Sequence, residues 1–275
     1  MRPATDVNAN IGNTGAPARG AAPPSVPRLA LGDRILIWGG LGAVTLLAWL
    51  YLVRMPMAPS DLGAFGARVA TVMPPGWAQV WLTFMMWAVM MVAMMLPSAS
   101  PMVMTYARIA HGRQRTAPWH VWLFALGYVA VWMIFSVVAT AVQDGLQRLA
   151  IVTNALTVAP LVGGIILVAA GVYQFTPLKE ACLGKCRSPI GFFMTEWRDG
   201  ARGALAMGFK HGALCVGCCW MLMVLLFVAG VMNLLWIAAI SVFVLLEKAI
   251  PYRRAITNAT GAALIILGAA VAYLG

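Results

Sequence analysis

Charge is the first thing this chain lacks. Only 10% of its residues are charged, with eight Asp and Glu in all, where an ordinary soluble domain carries about 25%. Together with 62% hydrophobic residues and a mean hydropathy of +0.85, that scarcity excludes a soluble domain. It predicts an all-α, polytopic membrane helix bundle. Histidine is nearly missing too, since His111, His120 and His211 are the whole set. Without histidines from a partner, these do not build a multi-histidine oxygenase site. No P-loop, no His-Glu-x-x-His and no Gly-x-Ser-x-Gly is present, so no catalytic residue is assigned and the chain reads as a binding protein rather than an enzyme. The net charge of +11 comes without a basic helix or interleaved aromatic and basic residues, which argues against nucleic acid. Cysteine is sparse and odd in number, at five, which fits no all-disulfide framework.

What the chain does have is apolar runs of spanning length. Residues 1–30 are rich in Pro, Ala, Asn and Gly and read as a disordered cytoplasmic tail. It is not a signal peptide, because the first apolar run is too long. Residues 31–275 form the transmembrane helical domain. Seven spans are expected, at about 35–53, 77–96, 119–142, 157–175, 212–230, 232–250 and 256–274, each close to the twenty or so residues a bilayer requires. The close pair around Gly230 and Met232 leaves a re-entrant hairpin open as an alternative.

Alternate connections differ sharply in Lys and Arg. Sixteen lie on the side of the N-terminus, including Arg108, Arg113, Lys179, Lys185, Arg198, Arg202, Lys210, Lys248 and Arg254. Three, Arg54, Arg68 and Arg148, lie on the other. That split places the N-terminus in the cytoplasm, the C-terminus outside, and residues 176–211 as the largest cytoplasmic loop. The loop's second half looks amphipathic, with Phe192, Phe193 and Trp197 dipping into the membrane interface.

The chemistry gathers at the cytoplasmic boundary. Cys182 and Cys186 lie in the loop, and Cys215, Cys218 and Cys219 open the next span. On a helix already begun near Met207, residues Met207, His211, Cys215, Cys218 and Cys219 occupy one face. Thiolate and thioether suit Cu(I), and thiolate with imidazole suits Zn(II), so copper is the first expectation for this set and zinc the alternative. The competing reading makes the cysteines small hydrophobes packed between helices. Thiol redox chemistry at Cys215-x-x-Cys218 also stays open. Met86, Met90 and Met94 lie one turn apart and outline a membrane path for a soft ion, although methionine also simply packs well. Glu247 and Lys248, at the end of a span on the same side, are expected either to orient a ligand such as His211 or to pair with a neighbouring charge. Glycines at 163, 164, 171, 208 and 212 predict that the fourth and fifth spans pack together.

These residues carry a resemblance. Trp87 to Pro97 with its Met-Met-x-x-Met-Met-Leu-Pro ending, Pro177-Leu-Lys179 with Cys182 and Cys186, Gly212-x-x-Cys-x-Gly-Cys-Cys-Trp220 and Glu247-Lys248 resemble an uncharacterised bacterial family of predicted metal-binding integral membrane proteins. The resemblance covers about residues 77–248 and implies a multi-pass protein of the bacterial inner membrane with a metal role. The chain is therefore expected to bind copper for transport or for delivery to a copper-dependent membrane or periplasmic enzyme. The alternatives are a non-catalytic subunit or assembly factor of a larger membrane complex, and a membrane thiol or metal oxidoreductase subunit.

Overall fold

A computed structural model describes residues 30–54, 76–113, 119–149, 159–250 and 253–274, and the tail expected at 1–30 falls almost wholly outside them. Among the described residues the chain is all-helical: α1 (Leu31–Arg54), α2 (Trp77–Gly112), α3 (His120–Arg148), α4 (Pro160–Gln174), α5 (Pro177–Arg187), α6 (Pro189–Glu196), α7 (Gly200–Val224), α8 (Leu226–Ala229), α9 (Leu234–Ala249) and α10 (Arg253–Leu274). Five of these stretches are long and apolar enough to cross a membrane, or six if α4 and α5 make one broken span bent by 63°. Seven spans were expected, and α9 is the difference. Its 16 residues reach about 24 Å at 1.5 Å per residue, short of a bilayer core of about 30 Å. The bend foreseen near Gly230 falls instead between Gln174 and Pro177.

Three local expectations change for physical reasons. The second span was expected to stop at Pro97, yet α2 runs through Pro97 and Pro101 to Gly112. Each proline frees the carbonyl four residues earlier, and each freed carbonyl has a donor: Trp49 Nε1 reaches Ala93 O at 3.1 Å and Ser100 Oγ reaches Pro97 O at 2.8 Å. With both satisfied, the helix continues in an apolar setting. The supposed loop 176–211 is mostly helix. Thr176 accepts from Lys179 N–H at 3.3 Å and Pro177 sets the first turn of α5. Phe192 and Phe193 point inward rather than into an interface, joining Tyr106, Phe124 and Met207 in one core cluster.

The glycines do mark close approaches, but between other partners than expected. Gly208 lies against the Phe124 backbone and Gly212 against Val131 and Tyr128 of α3, so α3 and α7 run parallel and pack backbone to backbone. Gly164 and Gly171 of α4 meet Gly268 and Gly261 of the antiparallel α10. A second and larger core joins Met90, Met91, Met94 and Met95 of α2 to Cys215, Cys218 and Cys219 of α7 and Cys186 of α5.

Candidate metal centre

α7 forms from Gly200, seven residues ahead of Met207, and its buried face carries Met207, His211, Cys215, Cys218 and Cys219 as their spacing requires. The Sγ atoms of Cys215, Cys218 and Cys219 all lie within 4.8 Å of one another. All three residues are at most 1% exposed. The Cys218 and Cys219 thiols turn back to the Cys215 carbonyl at 3.0 and 2.9 Å. α5 brings Cys186 from across the chain to hydrogen-bond with Cys218. Cys182, one turn earlier and only partly buried, rests its sulfur against Gly217. No cysteine is in a disulfide.

Four helices fasten the triad through a closed ring of hydrogen bonds. Lys248 Nζ on α9 donates to Cys215 Sγ at 3.0 Å and to Ser98 Oγ at 2.9 Å. Ser98 Oγ and the Tyr128 hydroxyl both donate to Met95 O, at 2.8 and 3.0 Å. Tyr128 closes the ring by lying 3.2 Å from Cys215 Sγ. A phenol has one proton, and if Met95 O takes it, the Cys215 thiol is the donor to the Tyr128 oxygen. The Pro97 to Pro101 stretch of α2 thus places Met95 O and Ser98 at the site. Met95 also supplies a thioether, 3.9 Å from Cys219 Sγ.

The remaining expected residues divide. His211 is buried, stacked on Tyr128 with ring centroids 5.4 Å apart, and neither ring nitrogen has a hydrogen-bond partner. A buried imidazole left wholly unsatisfied is costly, which marks His211 as a ligand-ready group one turn before Cys215. Met207 is not brought to the thiols: its sulfur accepts from Arg198 N–H at 3.4 Å, inside the aromatic core. Met86, Met90 and Met94 are all buried, but the α2 methionine touching the triad is Met95. Glu247 orients neither His211 nor a thiol. Its oxygens meet Lys179 Nζ at 2.8 and 3.0 Å and Thr257 Oγ1 at 3.1 Å, and Gln174 also accepts from Lys179. Outside the bundle, the Lys210 ammonium, 2.6 Å away, holds the Glu196 carboxyl below the usual carboxylate range.

Tyr128, Met95, Ser98 and Lys179 escaped sequence reasoning. Only Lys179 had a readable signal, because an acid such as Glu247 ending an apolar helix calls for an opposite charge. That partner lies 68 residues away in sequence.

Donor chemistry fits a soft monovalent ion well. Three clustered thiols, a fourth within reach, a thioether and a free imidazole suit Cu(I), and the donor set holds no hard oxygen ligand. Three thiolates around Cu(I) carry a net double negative charge, which the adjacent ammonium reduces. Residues 84–271, more than half of the chain and including every cysteine, match the family model PpoB2, described as a copper chaperone. No curated protein and no solved structure matches.

Proposed function

Because the chain belongs to the PpoB2 copper chaperone family, we propose that it holds Cu(I) inside a membrane bundle and delivers it to a copper-dependent partner enzyme. Cys215, Cys218 and Cys219 form the resident site, with Cys186 and His211 as exchangeable further ligands. The observation that carries this reading is the buried triad, its sulfurs within 4.8 Å, with Lys248 set against one of them.

Several features support a place in the bacterial inner membrane. α1 exposes Ile35, Leu36, Leu46 and Leu47 along its outer face, and α10 exposes Ile266 and Leu267. Apolar surface on that scale suits lipid rather than water. Beyond the triad, Met95, Met94, Met91 and Met90 continue along the buried face of α2. Since α2 runs outward to inward in the expected orientation, these thioethers lead from the triad toward the periplasmic half. Copper moving along them reaches a periplasmic acceptor without crossing bare hydrocarbon.

Copper content of detergent-purified protein, prepared anaerobically with reductant, tests the proposal. The wild type is expected to retain copper through dialysis and to show Cu–S scattering by X-ray absorption. The C215S/C218S/C219S variant, folded by circular dichroism, is expected to retain almost none. Equal copper in the two proteins would overturn the assignment, and zinc in place of copper would redirect it to the alternative ion.

A further inference from the structure

The five thiols are not equivalent. Cys215, Cys218 and Cys219 are sealed, Cys186 is 8% exposed, and Cys182 alone lies between core and surface. We propose that Cys182 is the exchange thiol, the ligand through which Cu(I) passes between the buried triad and a donor or acceptor reached from water. The inference rests on the copper reading above and adds a direction of access to it.

The placement on α5 supports this role from both sides. One face of α5 is buried at Lys179, Leu183 and Cys186, while Glu180 and Lys185 stand exposed on the opposite face. Two charges mark that outer face as hydrated. Cys182 sits on the boundary between the faces. Inward, its sulfur lies so close to α7 that a Cβ on Gly217 would stand 2.9 Å from it. Glycine is therefore what lets this thiol approach the backbone directly before Cys218. The next thiol inward, Cys186, already hydrogen-bonds to Cys218. Exposure falls step by step from Cys182 to Cys186 to the triad, and each step is between neighbours.

The exchange is a sequence of ligand substitutions with no change in oxidation state. Cys182 gives its proton to water, and its thiolate forms a Cu–S bond to incoming Cu(I) as the bond to the donor's thiolate breaks. That thiolate takes a proton from water. Cys186 or Cys218 then forms the next Cu–S bond, releasing its own proton to water, and the Cys182 bond breaks and its sulfur is reprotonated. Every step makes one Cu–S bond and breaks one.

The test loads wild type and C182S with Cu(I) anaerobically and follows transfer to bathocuproine disulfonate, a water-soluble Cu(I) chelator. Copper content of C182S is expected to match wild type, while the transfer rate falls about tenfold or more. C218S, by contrast, is expected to lose the copper itself. An unchanged rate in C182S would overturn the inference and leave the copper site standing, as would loss of copper from C182S equal to that from C218S. Wild type that retains no Cu(I) would overturn both. Maleimide labelling of metal-free wild type supplies an independent check: Cys182 is expected to react first, and labelling of Cys215 or Cys218 ahead of it refutes the role.

Discussion

Lys248 touches a hydroxyl and a sulfur at once, and that double contact sets what its loss would do. Its Nζ lies 3.0 Å from Cys215 Sγ and 2.9 Å from Ser98 Oγ, so it is both a counter-charge for the copper-thiolate unit and a tie between α9 and α2. Hydrogen bonds involving a charged group contribute about 1.5–3 kcal/mol. Lys248→Met is therefore expected to weaken Cu(I) affinity by roughly tenfold to a hundredfold, measured by competition with a chromophoric Cu(I) chelator. A smaller change in Tyr128→Phe is expected in the same assay, since the ring keeps its packing and loses one ring contact. Unchanged affinity in Lys248→Met would show the ammonium to be a structural tie alone. The α7 thiols were legible from sequence because positions 211, 215, 218 and 219 fix one helical face whatever lies opposite. Met95 was not, because the α2 methionines surround the helix and only tertiary packing picks the one that meets Cys219.

At the level of elements, the seating of α5 depends on a charge. Lys179 shares the buried face of α5 with Leu183 and Cys186, and both Lys179 and Glu247 are 1% exposed. Their bond, joined by Thr257 and Gln174, ties α5 to α9, α10 and α4 where the chain bends. Removing one partner of such a buried pair leaves an uncompensated charge, a cost of about 3–5 kcal/mol. Glu247→Gln is expected to lower the thermal midpoint in detergent and to loosen the Cys186 to Cys218 contact, read as faster alkylation of Cys186. The apolar double variant Lys179→Met/Glu247→Leu is expected to recover much of the stability, because the charge is then absent from both sides. A midpoint unaffected by Glu247→Gln would mean that the pair does not seat α5. Helix existence was readable from apolar length, whereas the course of α2 past Pro97 was not. Sequence reports the carbonyl that Pro97 frees, but the donor that satisfies it, Trp49, belongs to another helix. The glycines likewise announced close contacts without naming the partner helix.

Across the whole molecule, the helix directions constrain how the chain threads a membrane. α2 and α3 are antiparallel, since Trp87 meets Gln143 and Met95 meets Tyr128, while α3 and α7 run parallel. Two parallel spans require one return crossing between them, and α4 with the bend into α5 occupies that position. With the excess of Lys and Arg facing the cytoplasm, α7 begins inside, α3 ends outside, and the α5 and α6 surface that leads to the thiols faces the cytoplasm. Single cysteines introduced into a cysteine-free background decide the orientation: Arg148→Cys is expected to react with an impermeant maleimide in spheroplasts, and Lys185→Cys only after lysis. The opposite pattern would turn the bundle over, placing Cys182 at the periplasmic surface and the Met90 end of the α2 thioether row toward the cytoplasm. Copper would then be taken up from outside rather than loaded from within, so this labelling experiment fixes the direction of delivery as well as the topology.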